Sequence, residues 1–320
     1  MNNQIAALTL ALAVGTASCQ TSPPVPLAGF SLGNSVVLVS KSGRVIRTIR
    51  LPIKVGELSF SSNFKEFAVV SPHPDTAGGR MYLYSVASKQ LQRIPLRAVV
   101  PESARLEVYS EPQFSADGRE LFFNTHPQAE GDLAETNGPI AELDLKSLRA
   151  RAIASTIGLL TDGFLLSPNG RDFLLWDEGK VIDTHGATIF DFHDFQLEKP
   201  FKWALDVAWI GNSCVLYQAG KSQDSRFKGD LSYFVLNLRT LKSDNAIKVL
   251  GITNEELEGL VSYEFPDAVI QSTVASGGDR ESGIFLISKN GKRQKVAPKS
   301  ATNIQAFADD LKGDLPTECR

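Results

Sequence analysis

The chain has 320 residues, of which 42% are hydrophobic and 22% charged, an ordinary globular composition that gives intrinsic disorder no support. Its formal net charge of −3 and the lack of any Lys/Arg cluster argue against a nucleic-acid surface. The longest apolar run, Ile5 to Val14, is too short to span a bilayer, and nothing later approaches it.

Residues 1–18 read as a signal peptide: Met1-Asn2-Asn3-Gln4, an apolar stretch, then the small residues Gly15, Thr16, Ala17 and Ser18. Ala17-Ser18-Cys19 resembles the end of a bacterial lipoprotein signal, in which the cysteine is lipidated and becomes the new N-terminus. The resemblance implies an exported protein, periplasmic or at the cell surface, anchored to the membrane through Cys19. Residues 19–29 then form a polar, proline-stiffened tether carrying Pro23, Pro24 and Pro26. The alternative is a leader cut after Ser18 that leaves a soluble secreted protein.

From residue 30 to 320 a single domain is expected, built from hairpins. The first hairpin is Val36 to Arg44. A motif then recurs at intervals of roughly fifty residues. It begins weakly at Phe60-Ser61-Ser62-Asn63-Phe64-Lys65. The clear copies are Phe114-Ser115-Ala116-Asp117-Gly118-Arg119 and Leu166-Ser167-Pro168-Asn169-Gly170-Arg171. Degenerate copies follow at Trp209 to Ser213 and at Phe265 to Ala268. Asp-Gly and Asn-Gly supply the positive φ of a tight hairpin turn, and the flanking apolar runs are its strands. Each inner hairpin is followed by an outer one with alternating apolar and polar residues, as at Met81 to Leu96, Ile140 to Ile153, Tyr233 to Leu238 and Ile284 to Ser288. No stretch beyond the leader sustains a helical period, apart from a short turn near Asn254 to Leu260.

The aromatic-Ser-x-Asp/Asn-Gly-basic repeat resembles that of the TolB-type periplasmic β-propellers. The resemblance implies an all-β propeller of four-stranded blades. Six outer hairpins stand against five inner ones, so the segment Ile304 to Ala308 is expected to return and complete the blade begun by residues 34–50. Six blades are therefore expected, with five as the alternative. Closure of this kind leaves no free sheet edge.

Strand order in such a blade puts the turns within hairpins on one face and the connections between hairpins on the other. The first set is short; the second, 71–80, 124–138, 190–203, 218–230 and 275–283, is long and chemically mixed. Function on a rigid scaffold usually resides in such loops. The binding-face candidates are His73 and Asp75, His126, and Asp191, Phe192, His193, Asp194, Phe195 and Trp203. Imidazole with carboxylate could supply metal ligands or an acid/base pair, yet no two histidines stand at a metal-site spacing. Solvated loop histidines are the plainer reading. His185 reads as a turn residue. Glu130, Asp132 and Glu135 offer hard oxygen ligands without the regular spacing of a calcium loop. The aromatics Phe192, Phe195, Phe201 and Trp203 read either as anchors for a partner or as packing between the two blades they join.

Cys214, inside Cys214-Val215-Leu216-Tyr217, reads as a small buried hydrophobe. A bridge to Cys319 is open to it in an oxidising compartment, but the sequence does not bring the sulfurs together. No Gly-x-Ser-x-Gly motif or phosphate-binding glycine loop is present. No cofactor and no metal is called for. Two functions compete. The first is a monomeric, non-enzymatic scaffold binding an envelope protein, peptide or small ligand, the protein partner being what the TolB resemblance implies. The second is a propeller hydrolase or lyase using loop His and carboxylate side chains, with a metal as an option.

Overall fold

Three copies of the repeat, at Phe60, Phe114 and Leu166, close into the hairpin that their serine and their Asp or Asn dictate. Ser115 Oγ donates to Asp117 Oδ1 (2.9 Å) and accepts from the Glu120 amide (3.0 Å), while Asp117 Oδ1 accepts from the Arg119 amide (3.0 Å). That amide holds the Asp117 carboxyl below its usual range. Ser167 and Asn169 repeat the arrangement at 2.8–3.0 Å with Arg171 and Asp172, and Ser61 and Asn63 repeat it at 2.9–3.1 Å with Lys65 and Glu66. Gly118 and Gly170 take the left-handed turn position at φ 69° and 70°. In the weak copy Phe64 takes it, at φ 57°, so the hairpin tolerates a residue that the motif does not allow.

In this computed structural model the described residues are 26, 28–40, 44–72, 79–94, 109–125, 139–153, 163–175, 179–197, 199, 201, 203–222, 231–250, 270–273, 283–287, 293–297, 302–306 and 319. They form six antiparallel blades. The first contains β1 (Ala28–Leu32), β2 (Ser35–Val39) and β3 (Val45–Arg50), with the last strand of the chain, β23 (Thr302–Ala306), hydrogen-bonded along β1. The chain thus closes on itself as its hairpin arithmetic requires. β1 opens two residues inside the segment read as a tether. The second blade is β4 (Glu57–Phe60), β5 (Glu66–Pro72), β6 (Gly79–Ser85) and β7 (Gln90–Arg93). The third is β8 (Tyr109–Phe114), β9 (Glu120–Thr125), β10 (Ile140–Asp144) and β11 (Arg149–Ala152), joined to the second by one pairing of Gly79 with Tyr109.

The fourth blade is β12 (Phe164–Leu166), β13 (Asp172–Leu175), β14 (Lys180–Asp183) and β15 (Thr188–Asp191). The fifth is β16 (Trp203–Trp209), β17 (Cys214–Gly220), β18 (Leu231–Asn237) and β19 (Lys242–Asn245), followed by a one-turn helix, α1 (Ala246–Leu250). Of the sixth, β20 (Ile270–Thr273), β21 (Gly283–Ile287) and β22 (Arg293–Ala297) are described. The copy at Phe265 and the turn near Asn254 to Leu260 lie outside the described residues. Among the described residues no helix is long and apolar enough to cross a membrane.

The core lies between blades. Side chains on a strand alternate faces, so each second strand serves two neighbours. Phe67 and Val69 pack towards the first blade with Val36, Leu38 and Phe60, whereas Ala68 and Val70 pack towards the third with Leu121 and Phe123. Phe122 then faces the fourth blade, against Phe164 and Phe173. Leu174 faces the fifth, with Val215, Tyr217 and Trp209. Burial on both faces explains why these strands read as unbroken apolar runs. Fully burying each such side chain contributes roughly 1.5–3 kcal/mol.

Cys214 and Cys319 form a disulfide spanning 105 residues. Both are buried, and the Asn212 amide donates to the Cys319 carbonyl at 2.7 Å. The C-terminal end is thereby held at the hairpin turn of the fifth blade, two blades from the strand that closes the ring.

Candidate functional site

The face carrying the long connections is formed by the starts of the innermost strands and the ends of the second strands. Three innermost strands carry the same irregularity there. In β8 the pairing passes from Ser110–Asn124 to Gln113–Phe122, leaving Glu111 and Pro112 as a bulge. β16 passes from Leu205–Gln218 to Ala208–Leu216, and β23 from Thr302–Ser31 to Gln305–Gly29. The partner just outside each bulge is a buried polar residue: Asn124, Gln218 and Ser31.

Glu111, at φ 53°, links three blades. Its amide donates to Glu57 Oε2 of the second blade. Its own Oε2 accepts from Asn124 Nδ2 (2.9 Å) and from the Phe164 amide of the fourth blade (3.1 Å). Gln113 bridges the same junction, donating to the Phe164 carbonyl and accepting from the Leu166 amide, both at 2.7 Å. Trp209 Nε1 donates to the Leu165 carbonyl at 2.9 Å, joining the fourth blade to the fifth. Asn124 Oδ1, fully buried, has no hydrogen-bond partner among the described residues. These polar groups near the ring axis escaped sequence reasoning. The available signal was a glutamate three residues before the aromatic in two copies, Glu57 before Phe60 and Glu111 before Phe114.

The sequence-derived candidates are distributed differently. His73, Asp75 and His126 lie outside the described residues, as do Glu130, Asp132 and Glu135. Asp191 ends β15, and its Oδ1 accepts from the His193 amide (2.9 Å) and lies 3.0 Å from His193 Nδ1. Burial opposes ionisation of Asp191, but the His193 bonds and the Lys180 ammonium outweigh it and hold its pKa below the ordinary value. This is a local turn, with both groups two residues apart in sequence. His193 and Asp194 are exposed. Phe192 and Phe195 are half-buried, packing edge-on to Phe190 and Tyr217, and Phe201 packs edge-on to Phe234. Phe192, Phe195 and Phe201 thus pack at the junction between the fourth and fifth blades. Trp203 opens β16, paired with Gly220. His185 sits exposed in the β14–β15 turn, its amide bonded to Asp183. Among the described residues no three His, Cys, Asp or Glu side chains come together as a metal-binding group.

No protein-family model matches the sequence, and no curated protein matches it. Solved structures do resemble it in fold. An oligogalacturonate lyase in complex with manganese aligns over 82% of this chain and 70% of its own, at 11% identity and a TM-score of 0.51. A protein assigned as TolB from Agrobacterium tumefaciens aligns over 85% of this chain and 89% of its own, at 11% identity and a TM-score of 0.50. TolB from Acinetobacter baumannii aligns over 89% and 67%, at 12% identity and a TM-score of 0.48. At such identities the likeness concerns fold and leaves chemistry open. Together with the blade order and the circular closure, the first two likenesses establish that the chain is an all-β propeller of TolB-like fold.

Proposed function

We propose that the chain is an exported propeller, held in the cell envelope by a lipid on Cys19, that acts as a non-enzymatic scaffold and presents its long-loop face to a partner protein or peptide. The observation that carries export is the Cys214–Cys319 disulfide, since such bonds persist in oxidising compartments and are rare in the cytosol. The cysteine at the end of a leader-like segment supports the anchor. For binding, the support is the contrast between a rigid set of blades and long connections confined to one face.

The test is expression of the full chain with its leader in a bacterial host, followed by thiol trapping, fractionation and mass analysis of the N-terminal peptide. The expected result is a membrane-associated protein with Cys214 linked to Cys319 and an acylated Cys19. A cytoplasmic protein with both thiols free contradicts export. A soluble exported form beginning at Cys19 without acyl chains contradicts the anchor alone.

A further inference from the structure

The face opposite the long loops carries a pattern of its own. Its outer rim is made by the turns between third and fourth strands. Among the described residues the rim bears six exposed cations, Arg44, Lys89, Lys146, Arg149, Arg239 and Lys242, in a chain whose net charge is −3. The carboxylates in those turns are Asp144 and Asp183, and each is engaged by its own turn: Asp144 Oδ1 accepts from the Ser147 amide at 2.6 Å, and Asp183 Oδ1 from the Ala187 amide at 2.8 Å. The hairpin turns nearer the axis carry both signs instead, with Lys65 beside Glu66, Arg171 beside Asp172, and Arg119 between Asp117 and Glu120.

Apolar side chains interleave with these cations. Of the six exposed large hydrophobic residues described, four lie on this rim, one in each of the first, third, fourth and fifth blades: Val45, Leu148, Ile189 and Leu241. Leu148 and Leu241 are 47% and 56% exposed and take φ 55° and 56°. A left-handed turn position favours glycine, so a leucine there spends backbone stability to display an apolar side chain to solvent. Each is followed directly by a cation, Arg149 or Lys242.

The N-terminal end of the fold emerges on the same side. Ala28 pairs with Val39 and with Ala306, and Val39 pairs with Val45, so the chain enters the first blade level with that exposed valine. A tether running from Cys19 to Ala28 therefore arrives at the basic, apolar-studded face.

From this juxtaposition we infer that the short-turn rim docks on an anionic phospholipid surface, with its leucines at the headgroup boundary and its cations on lipid phosphates. Interfacial binding needs both components, because apolar contact and electrostatic attraction are each weak alone. The orientation rests on the anchored reading proposed above; the rim's own affinity for lipid does not.

The test uses the chain from Gln20 onward, unlipidated, which keeps every described strand and the disulfide. It is sedimented with vesicles of equal parts phosphatidylglycerol and phosphatidylcholine, and with phosphatidylcholine alone. Binding to the anionic vesicles only is expected, weakening with salt. Changing Lys146, Arg149, Arg239 and Lys242 together to Gln is expected to weaken it at least about ten-fold. Leu148→Gly with Leu241→Gly relieves the left-handed backbone and so does not endanger folding; it is expected to weaken vesicle binding several-fold in a protein at least as stable. Equal binding to both vesicle types, or unchanged binding by either variant, overturns the inference. An unacylated Cys19 on mass analysis removes the anchor reading and leaves the vesicle result to decide the rim.

Discussion

The hairpin turns of the ring and its blade junctions are built by different physics. On the short-turn face, hairpins of the second, third and fourth blades close with the same side-chain and backbone bonds, each made within six residues of sequence. At the blade junctions, Glu57, Glu111, Gln113 and Trp209 hold blades together through partners 44 to 54 residues away. Local chemistry can be read from a motif. Contacts across a blade junction cannot, because the partner is fixed only once the ring has formed. That difference locates where substitutions should act, and how strongly.

The largest effect is expected from the one covalent tie between distant parts. Changing Cys214 and Cys319 to serine should cost about 4 kcal/mol, given a loop of 105 residues, and reduction of the native chain should cost a similar amount in urea unfolding. Next comes the junction on the long-loop face. Glu111→Ala leaves the Phe164 amide and Asn124 Nδ2 without their acceptor and should cost about 2–3 kcal/mol. Equal stability of this variant would mean that the Glu111 bonds add nothing to this junction.

The short-turn face offers a finer comparison. Gly118 and Gly170 occupy the same turn position, but a Cβ on Gly118 would meet Ser61 Cβ at 3.6 Å, whereas one on Gly170 would meet the Ala116 amide nitrogen at 2.7 Å. Both Ala variants incur left-handed strain of about 1 kcal/mol. Only Gly170→Ala forces backbone apart as well, so it should cost clearly more, about 2 kcal/mol or above. Thermal unfolding of the pair decides it. The smallest effect belongs to Asp172, whose pKa is raised by burial first and by Asp183 second. A raised carboxylate destabilises the fold when ionised, and the penalty disappears as pH falls below the unfolded value of about 4. Asp172→Asn should therefore give a small gain near neutral pH and none in acid.

What the sequence disclosed follows the same division. The Asp117-Gly118 and Asn169-Gly170 turns announced the blades, and the weak copy at Phe60 proved geometrically equivalent despite Phe64 in place of glycine. Six outer hairpins against five inner ones required the C-terminal strand to return, and β23 does so beside β1. β1 itself was hidden because its hairpin partner lies at the other end of the chain. The Cys214–Cys319 bridge was open in the sequence but undecided for the same reason, since its sulfurs are 105 residues apart. At the long-loop face, composition leaves Phe192 and Phe195 as anchors or packing; their contacts with Tyr217 and Phe190 come only from tertiary structure. Glu111 left only the faint sign it shares with Glu57, a glutamate three residues before the aromatic, since its partners Glu57 and Phe164 belong to other blades.

The division into a lipid-facing rim and a partner-facing loop side is tested most directly by site-specific photocrosslinking in cells. A benzophenone amino acid placed at Leu241 samples the rim, and one placed at His193 samples the long-loop face; both positions are exposed. The account predicts lipid adducts at Leu241 and protein adducts at His193. Protein adducts at Leu241 with lipid at His193, or identical products from both, would contradict it.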